Sequence, residues 1–287
     1  MIDLTEKSQL LDHLKKHGLW AKKGLGQNFL VDRNALDKIV EAAELTQDDT
    51  VIEVGPGVGT LTSELLKRAK EVVAVEMDDK LAEILRSTNN GKLKVINADI
   101  LKFNLNEIIE NKPYKVVANI PYYITSKIIE LFLTAENKPE LIVLLVQKEV
   151  AERICAKPGE MSVLSVSVQL YGKPEIVGIV PKESFFPSPK VDSAILKIDN
   201  IQDPFDSLSL AQDDTGSLSK SFFRCVHIGF SSRRKTLINN LSAGYHIAKE
   251  TASDIIRQTG FGENVRAQEL SVEDWKRLSE QVESVGE

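Results

Sequence analysis

Residues 50–60 read TVIEVGPGVGT. A short β-branched run enters a turn carrying Gly55, Gly57 and Gly59, and TLTSELLKRAK continues from it with helical spacing. Glycines let the backbone approach a ligand closely, and the helix beyond them offers free N–H groups at its N-terminus. The spacing is GxGxG, not the GxGxxG of a dinucleotide pyrophosphate turn. From these residues alone, a tight strand–helix turn reads as well as a ligand site does.

The same alternation extends in both directions. VVAVE (72–76) precedes LAEILRS, and LKVINAD (93–99) leads into a polar connection. KVVANIP is followed by TSKIIELFLTA, and LIVLLVQ by KEVAERI. Strands alternating with helices of this length predict βαβ units, and strands covered on both faces are apolar throughout. EIVGIV (175–180) and VDSAILKID (191–199) read as two further strands around KESFFPSPK. Beyond about residue 200, IQDPFDSLSLAQDDTGS reads as a linker with a loop. SLSKSFFRCVHIGF, SRRKTLINNLSA, ETASDIIRQTG and SVEDWKRLSEQV read as helices. The expectation is an α/β chain: an N-terminal extension (1–23), a doubly wound, Rossmann-like sheet domain (24–200) and a smaller all-α domain (201–287).

The 287 residues, 42% apolar and 27% charged, describe an ordinary globular chain. LIVLLV (141–146) is too short to span a bilayer, and MIDLTEKSQL has no apolar core of a signal peptide. Cys155 and Cys225 form no CxxC or Cys/His cluster, so no disulfide framework and no metal site is expected, and a cytoplasmic setting is. The net charge of −6 argues against a nucleic-acid partner, but its distribution argues for one. Between Thr215 and Lys249 there is no acid, while Lys220, Arg224, Arg233, Arg234, Lys235 and Lys249 are all basic. A second cluster, Lys15, Lys16, Lys22 and Lys23, lies ahead of GLGQNF. Local fields outweigh net charge in docking a polyanion, although one such run alone reads equally as a solvated face. Lys22, Lys23, Arg224, Arg233, Arg234 and Lys235 are the candidate contacts to RNA or DNA.

Glu76 ends the second strand, where doubly wound folds grip ribose hydroxyls; alone it reads as a surface acid. Asp99, in NADIL, is placed to accept from an adenine amine with Ile100 over the ring, or to N-cap a helix. Together with the glycine turn these predict an adenosine-type cofactor, without separating S-adenosylmethionine from NAD. The fourth strand ends in NIPYY (119–123). An adenine amine is a poor nucleophile, because its lone pair is delocalised into the ring. Two acceptors on its N–H hydrogens, the Asn119 side-chain oxygen and the Ile120 carbonyl, would pyramidalise it and aim the lone pair at a methyl donor. Pro121 would fix the backbone and Tyr122 would offer the base a face. A strand-ending Asn-x-Pro turn is the alternative.

At this point the sequence resembles the ribosomal RNA adenine N6-dimethyltransferases, specifically the small-subunit (KsgA) family. GLGQNFL, EVGPGVGTLT, NADIL, NIPYYI, LLVQKEVAERI, FFPSPKVDSAI, FSSRRKTLINNL and RAQELSVEDW carry the resemblance across nearly the whole chain. It implies a class I methyltransferase sheet that uses S-adenosylmethionine. Asn28 and Leu30 would line the methionine end of the cofactor, Gly55 and Gly57 would lie against it, Glu76 would hold the ribose and Asp99 the adenine, with Ile100 and Asn119 adjoining. Asn119, Ile120, Pro121 and Tyr122 would form the methyl-transfer corner. Phe185 would face Tyr122 across the flipped base, with Phe186 or a core role for Phe185 as alternatives. The implied reaction is dimethylation of two adjacent adenosines near the 3′ end of small-subunit (16S) rRNA. The implied enzyme is a monomer acting on the small ribosomal subunit or its precursor, with no membrane partner. Its rivals are large-subunit methylation of the antibiotic-resistance type, an assembly factor that mainly binds, and an NAD oxidoreductase.

Overall fold

The computed structural model describes residues 3–21, 26–109, 112–205 and 215–286. Lys22 and Lys23, and most of the expected linker, lie outside these residues. The chain divides into two units, one of Met1–Ala151 with Gly172–Ile201, the other of Glu152–Tyr171 with Gln202–Glu287. The chain changes units at 201/202, beside the boundary expected at 200, but residues 152–171, expected in the sheet domain, cluster with the C-terminal helices. The N-terminal extension is likewise part of the first unit.

In the first unit, α1 (Lys7–Lys16), β1 (Phe29–Leu30) and α2 (Arg33–Ala42) precede the sheet. β2 (Thr50–Val54), α3 (Thr60–Arg68), β3 (Glu71–Glu76), α4 (Asp79–Ser87), β4 (Leu93–Asn97), α5 (Asn106–Ile109), β5 (Lys115–Asn119), α6 (Thr125–Leu133) and β6 (Leu141–Gln147) follow in alternation. α7 (Lys148–Ile154) and α8 (Val163–Tyr171) come before β7 (Lys173–Val180), β8 (Phe185–Phe186) and β9 (Ser193–Asp199). The seven-stranded sheet has the order β4-β3-β2-β5-β6-β9-β7. β4 through β6 are mutually parallel, whereas β9 pairs antiparallel with both β6 and β7. Val51, Ile52, Val72, Val116, Val117 and Ile142–Val146 are essentially sealed from solvent, as strands covered on both faces require. β7, at the edge, alternates instead and leaves Val177 and Ile179 exposed. The strand order reverses between β2 and β5, the position where open α/β sheets bind ligands beyond their strand C-termini.

Two smaller pieces shape that end of the sheet. β1 pairs antiparallel with β8, setting Phe29 opposite Phe186 and Leu30 opposite Phe185. The Asp32 side chain caps α2 through Ala35 N–H (3.1 Å) and also accepts from Ser184 Oγ (2.6 Å), tying this pair of short strands to α2. α1 was not expected as a helix. Its Leu10 and Leu14, with Leu19 just after it, bury against Phe29, Val58 and Leu81.

The second unit contains α8, α9 (Thr215–Gly229), α10 (Leu237–Tyr245), α11 (Lys249–Gln258) and α12 (Val272–Gly286). Trp275 of α12 is fully buried and stacks on Phe230 with ring centroids 5.4 Å apart. A Cβ on Gly229 would fall 2.2 Å from the Trp275 ring, so only glycine fits at the end of α9. SRRKT does not join the following helix as expected. The Asn240 side chain donates to the carbonyls of Gly229 (2.6 Å) and Ser232 (3.1 Å), holding residues 230–236 as a loop before α10.

Candidate active site

A cavity of about 310 Å³ opens where the ends of β2, β3, β4 and β5 converge. Asn28, Leu30, Gly55, Gly57, Glu76, Asp99, Ile100, Asn119, Ile120, Pro121 and Tyr122 all line it. Every cofactor and methyl-transfer residue expected from the sequence is thus brought together, except Phe185.

The floor follows from the glycine turn. Gly55 and Gly57 have φ of +64° and +59°, a left-handed conformation that side chains rarely adopt. A Cβ on Gly57 would also press to 3.3 Å from the Phe29 ring. Across the turn, the Glu76 carboxylate accepts from Gly57 N–H through Oε2 (3.0 Å) and from Asp78 N–H through Oε1 (2.9 Å). It is 94% buried in consequence, being 6% exposed. Burial raises its pKa, and the two N–H groups oppose that rise. Asp99 Oδ1 accepts from Leu101 N–H (3.1 Å) and caps a short 3₁₀ turn, while its Oδ2 lies 3.7 Å from the Lys102 ammonium. The capping alternative is therefore real for one oxygen and leaves the other at the cavity.

The corner at the end of β5 is oriented from outside itself. The Asn119 amide nitrogen donates to the Asn28 carbonyl (3.2 Å). A carbonyl only accepts, so this contact assigns the amide and leaves Oδ1 as the acceptor available to the cavity. Asn28 in turn donates its own amide to Gly26 O (3.1 Å). Ile120 buries its side chain at 2% exposure and Pro121 holds φ at −59°. The Tyr122 hydroxyl meets Ser193 Oγ at 2.7 Å, and its carbonyl accepts from Thr125 Oγ1 at 3.0 Å, which fixes the ring from both ends.

Phe185 requires a correction. It is 4% exposed, packs in the main core with Leu30 and Val180, and does not line the cavity. Its pairing opposite Leu30 turns it inward. Phe186 is half-buried against the α1 cluster, with the Lys7 ammonium 5.1 Å from its ring, and it too lies off the cavity wall. The aromatic rings at the wall are those of Phe29, Tyr122 and Tyr123.

Sequence reasoning passed over Glu53 and Thr60, which line the same cavity. Glu53 Oε2 and Thr60 Oγ1 are buried with no hydrogen-bond partner among the described residues. Burial pushes the Glu53 carboxyl up to about 8, with the Glu76 carboxylate adding to the rise and Thr62 opposing it. A lone acid inside the apolar run VIEV was the available signal. Glycines at left-handed φ, a buried strand-tip carboxylate and orphaned polar atoms facing one cavity fit an adenosine-bearing methyl donor. In the second unit, Arg224, Arg233, Arg234 and Lys235 are exposed. The Arg224 guanidinium lies 5.1 Å over the Tyr245 ring, and Arg233, Arg234 and Lys235 have no ion-pair partner among the described residues. Also among the described residues, no helix is long and apolar enough to cross a membrane.

Comparison with known proteins agrees with this geometry. A small-subunit rRNA methyltransferase A of Dehalococcoides mccartyi is 44% identical over 94% of this chain and 91% of its own length. The crystal structure of the 23S rRNA methyltransferase ErmE superposes with TM-score 0.70 at 30% identity, covering 89% of this chain and all of that one. A dimethyladenosine transferase of Plasmodium falciparum superposes with TM-score 0.71 at 28% identity, over 87% of this chain and 95% of its own. Residues 18–284 match the family model for ribosomal RNA adenine dimethylase. A cavity built from a glycine turn, two strand-tip acids and an oriented Asn-Ile-Pro-Tyr corner is what such chemistry asks of an α/β sheet, and the chain belongs to the ribosomal RNA adenine dimethylase family.

Proposed function

We propose that this chain transfers methyl groups from S-adenosylmethionine to the N6 amines of two adjacent adenosines near the 3′ end of small-subunit rRNA. The observation that carries the reading is the Asn119 amide, turned by the Asn28 carbonyl so that its oxygen serves the cavity. When bound, the cofactor supplies an electrophilic methyl group on its sulfonium. Glu76 accepts from the ribose hydroxyls, Asp99 from the cofactor adenine, and Asn28 and Leu30 line the methionine end. Asn119 Oδ1 and the Ile120 carbonyl each accept one N–H of the target amine, turning its lone pair toward the methyl. Pro121 keeps that carbonyl in place, and Tyr122 receives the base on its ring. No strong general base is needed, since the methylated cationic amine releases its proton to solvent. Placement and exclusion of water lower the barrier.

The relative that is 44% identical supports a small-subunit substrate, and the exposed Arg224, Arg233, Arg234 and Lys235 support docking on rRNA. The enzyme works as a monomer on the small subunit or its precursor. The likeness to ErmE favours one second reading, methylation of large-subunit rRNA. Transfer of labelled methyl to small subunits lacking the modification, with large subunits alongside, separates the two. Label recovered as N6-dimethyladenosine in small subunits is the expected result; label confined to large subunits overturns it.

A further inference from the structure

The cavity wall includes two residues that neither cofactor binding nor the methyl-transfer corner uses, Tyr123 and Lys127. Tyr123 is 64% exposed although it belongs to the short turn that starts at the corner. The Gly26 backbone runs beside one side of its ring, near enough that an added Cβ would reach van der Waals contact at 3.6 Å. Most of the Tyr123 side chain thus faces solvent although the residue lines the cavity. Lys127 lies one helical turn onward in α6, is exposed, and has no ion-pair or hydrogen-bond partner among the described residues. An exposed aromatic ring and an unpaired cation on one cavity wall make a pattern by which proteins take single-stranded nucleic acid, the ring stacking on a base and the cation meeting the backbone.

We propose that Tyr123 and Lys127 form a ledge for the nucleotide next to the target adenosine: the Tyr123 ring stacks on the neighbouring base, and the Lys127 ammonium pairs with the phosphate that joins the two nucleotides. This rests on the reading that the chain methylates adjacent adenosines in rRNA. The ledge holds the second adenosine beside the corner while the first is modified, and it draws the strand taut across the cavity mouth. The ledge acts on substrate affinity, apart from the cofactor.

The test uses the full-length enzyme and small subunits lacking the modification. Tyr123→Ala is expected to raise KM for subunits about 5- to 150-fold, the range that loss of one base–aromatic stack gives. Tyr123→Phe, which keeps the ring, restores the affinity lost in the alanine variant. Lys127→Gln is expected to lower the log–log salt slope of subunit binding by about 0.7, one phosphate contact on a single strand. Both variants are expected to bind S-adenosylhomocysteine by calorimetry as the parent does, a readout that misfolding would spoil. Removing the neighbouring base from reconstituted subunits should cost the parent about what Tyr123→Ala costs, and should cost the alanine variant little more. If Tyr123→Ala keeps the parent KM, or if Lys127→Gln keeps the parent salt slope, the ledge is refuted. A parent enzyme that labels no small-subunit rRNA at all refutes the underlying reading instead.

Discussion

Replacing Glu76 by Gln changes one carboxylate oxygen to an NH₂ group and nothing else in outline. Both oxygens are occupied, Oε2 by Gly57 N–H at 3.0 Å and Oε1 by Asp78 N–H at 2.9 Å. An amide has a single oxygen, so one buried N–H must face another donor. An unsatisfied buried donor costs about 1–3 kcal/mol. At about 2–4 °C per kcal/mol for a domain of this size, melting should fall by roughly 2–12 °C. The ribose loses its charged acceptor at the same time, worth about 1.5–3 kcal/mol, or roughly 10- to 150-fold in affinity. Calorimetric titration with S-adenosylhomocysteine, paired with thermal melts, reads both quantities. Parent-like cofactor affinity in a folded Glu76→Gln protein would refute the ribose role. A lowered melting temperature with unchanged affinity would leave Glu76 as a brace for the glycine turn only.

Further outcomes can be stated more briefly. Asn119→Ala should bind S-adenosylhomocysteine within a few-fold of the parent yet lose about 100-fold or more in methyl transfer, and full retained activity in a single-turnover assay would sink the two-acceptor mechanism. Changing Arg233, Arg234 and Lys235 together to Glu should weaken subunit binding and flatten its salt dependence; an unchanged slope in filter binding removes this loop from the RNA face. Glu53 titrates near the ordinary carboxylate value when unfolded and at about 8 in the fold, so the native state alone holds that proton between these values. Its contribution to stability should then fall as pH rises from about 4.5 to about 8 and stay lost above. Urea melts across that window should show the decline in the parent and lose it in Glu53→Gln.

The sheet was legible because its strands are buried on both faces and read as continuous apolar runs, VVAVE and LIVLLVQ above all. Two strand tips were legible for the same reason: polar residues that end such runs, Glu76 and Asn119, stand out. What was not legible depended on distant partners. The β1–β8 pairing is two residues long and is secured in part by Ser184 reaching Asp32 across 152 positions of sequence. Nothing local announces it, so Phe185 read as a site residue when it is core. VLSVSVQLY alternates every second residue, yet it winds as α8. Ser162 and Ser165 start that helix by exchanging hydrogen bonds, Ser165 N–H to Ser162 Oγ at 3.2 Å and Ser162 N–H to Ser165 Oγ at 2.7 Å. In FSSRRKTL, the carbonyl acceptors taken by Asn240 override a basic run of good helix formers.

The assignment of residues 152–171 to the helical unit bears on how the protein is made. α8 carries Val166, Val168 and Leu170, all buried in the finished fold, and it packs against α9 and α12. On the ribosome α8 emerges before α9 and α12. At about 5–20 residues per second, those apolar side chains wait on the order of ten seconds for their partners. An enzyme that methylates ribosomal RNA thus leaves its own ribosome with a sticky helix exposed, and slowing elongation after residue 171 should raise its dependence on chaperones.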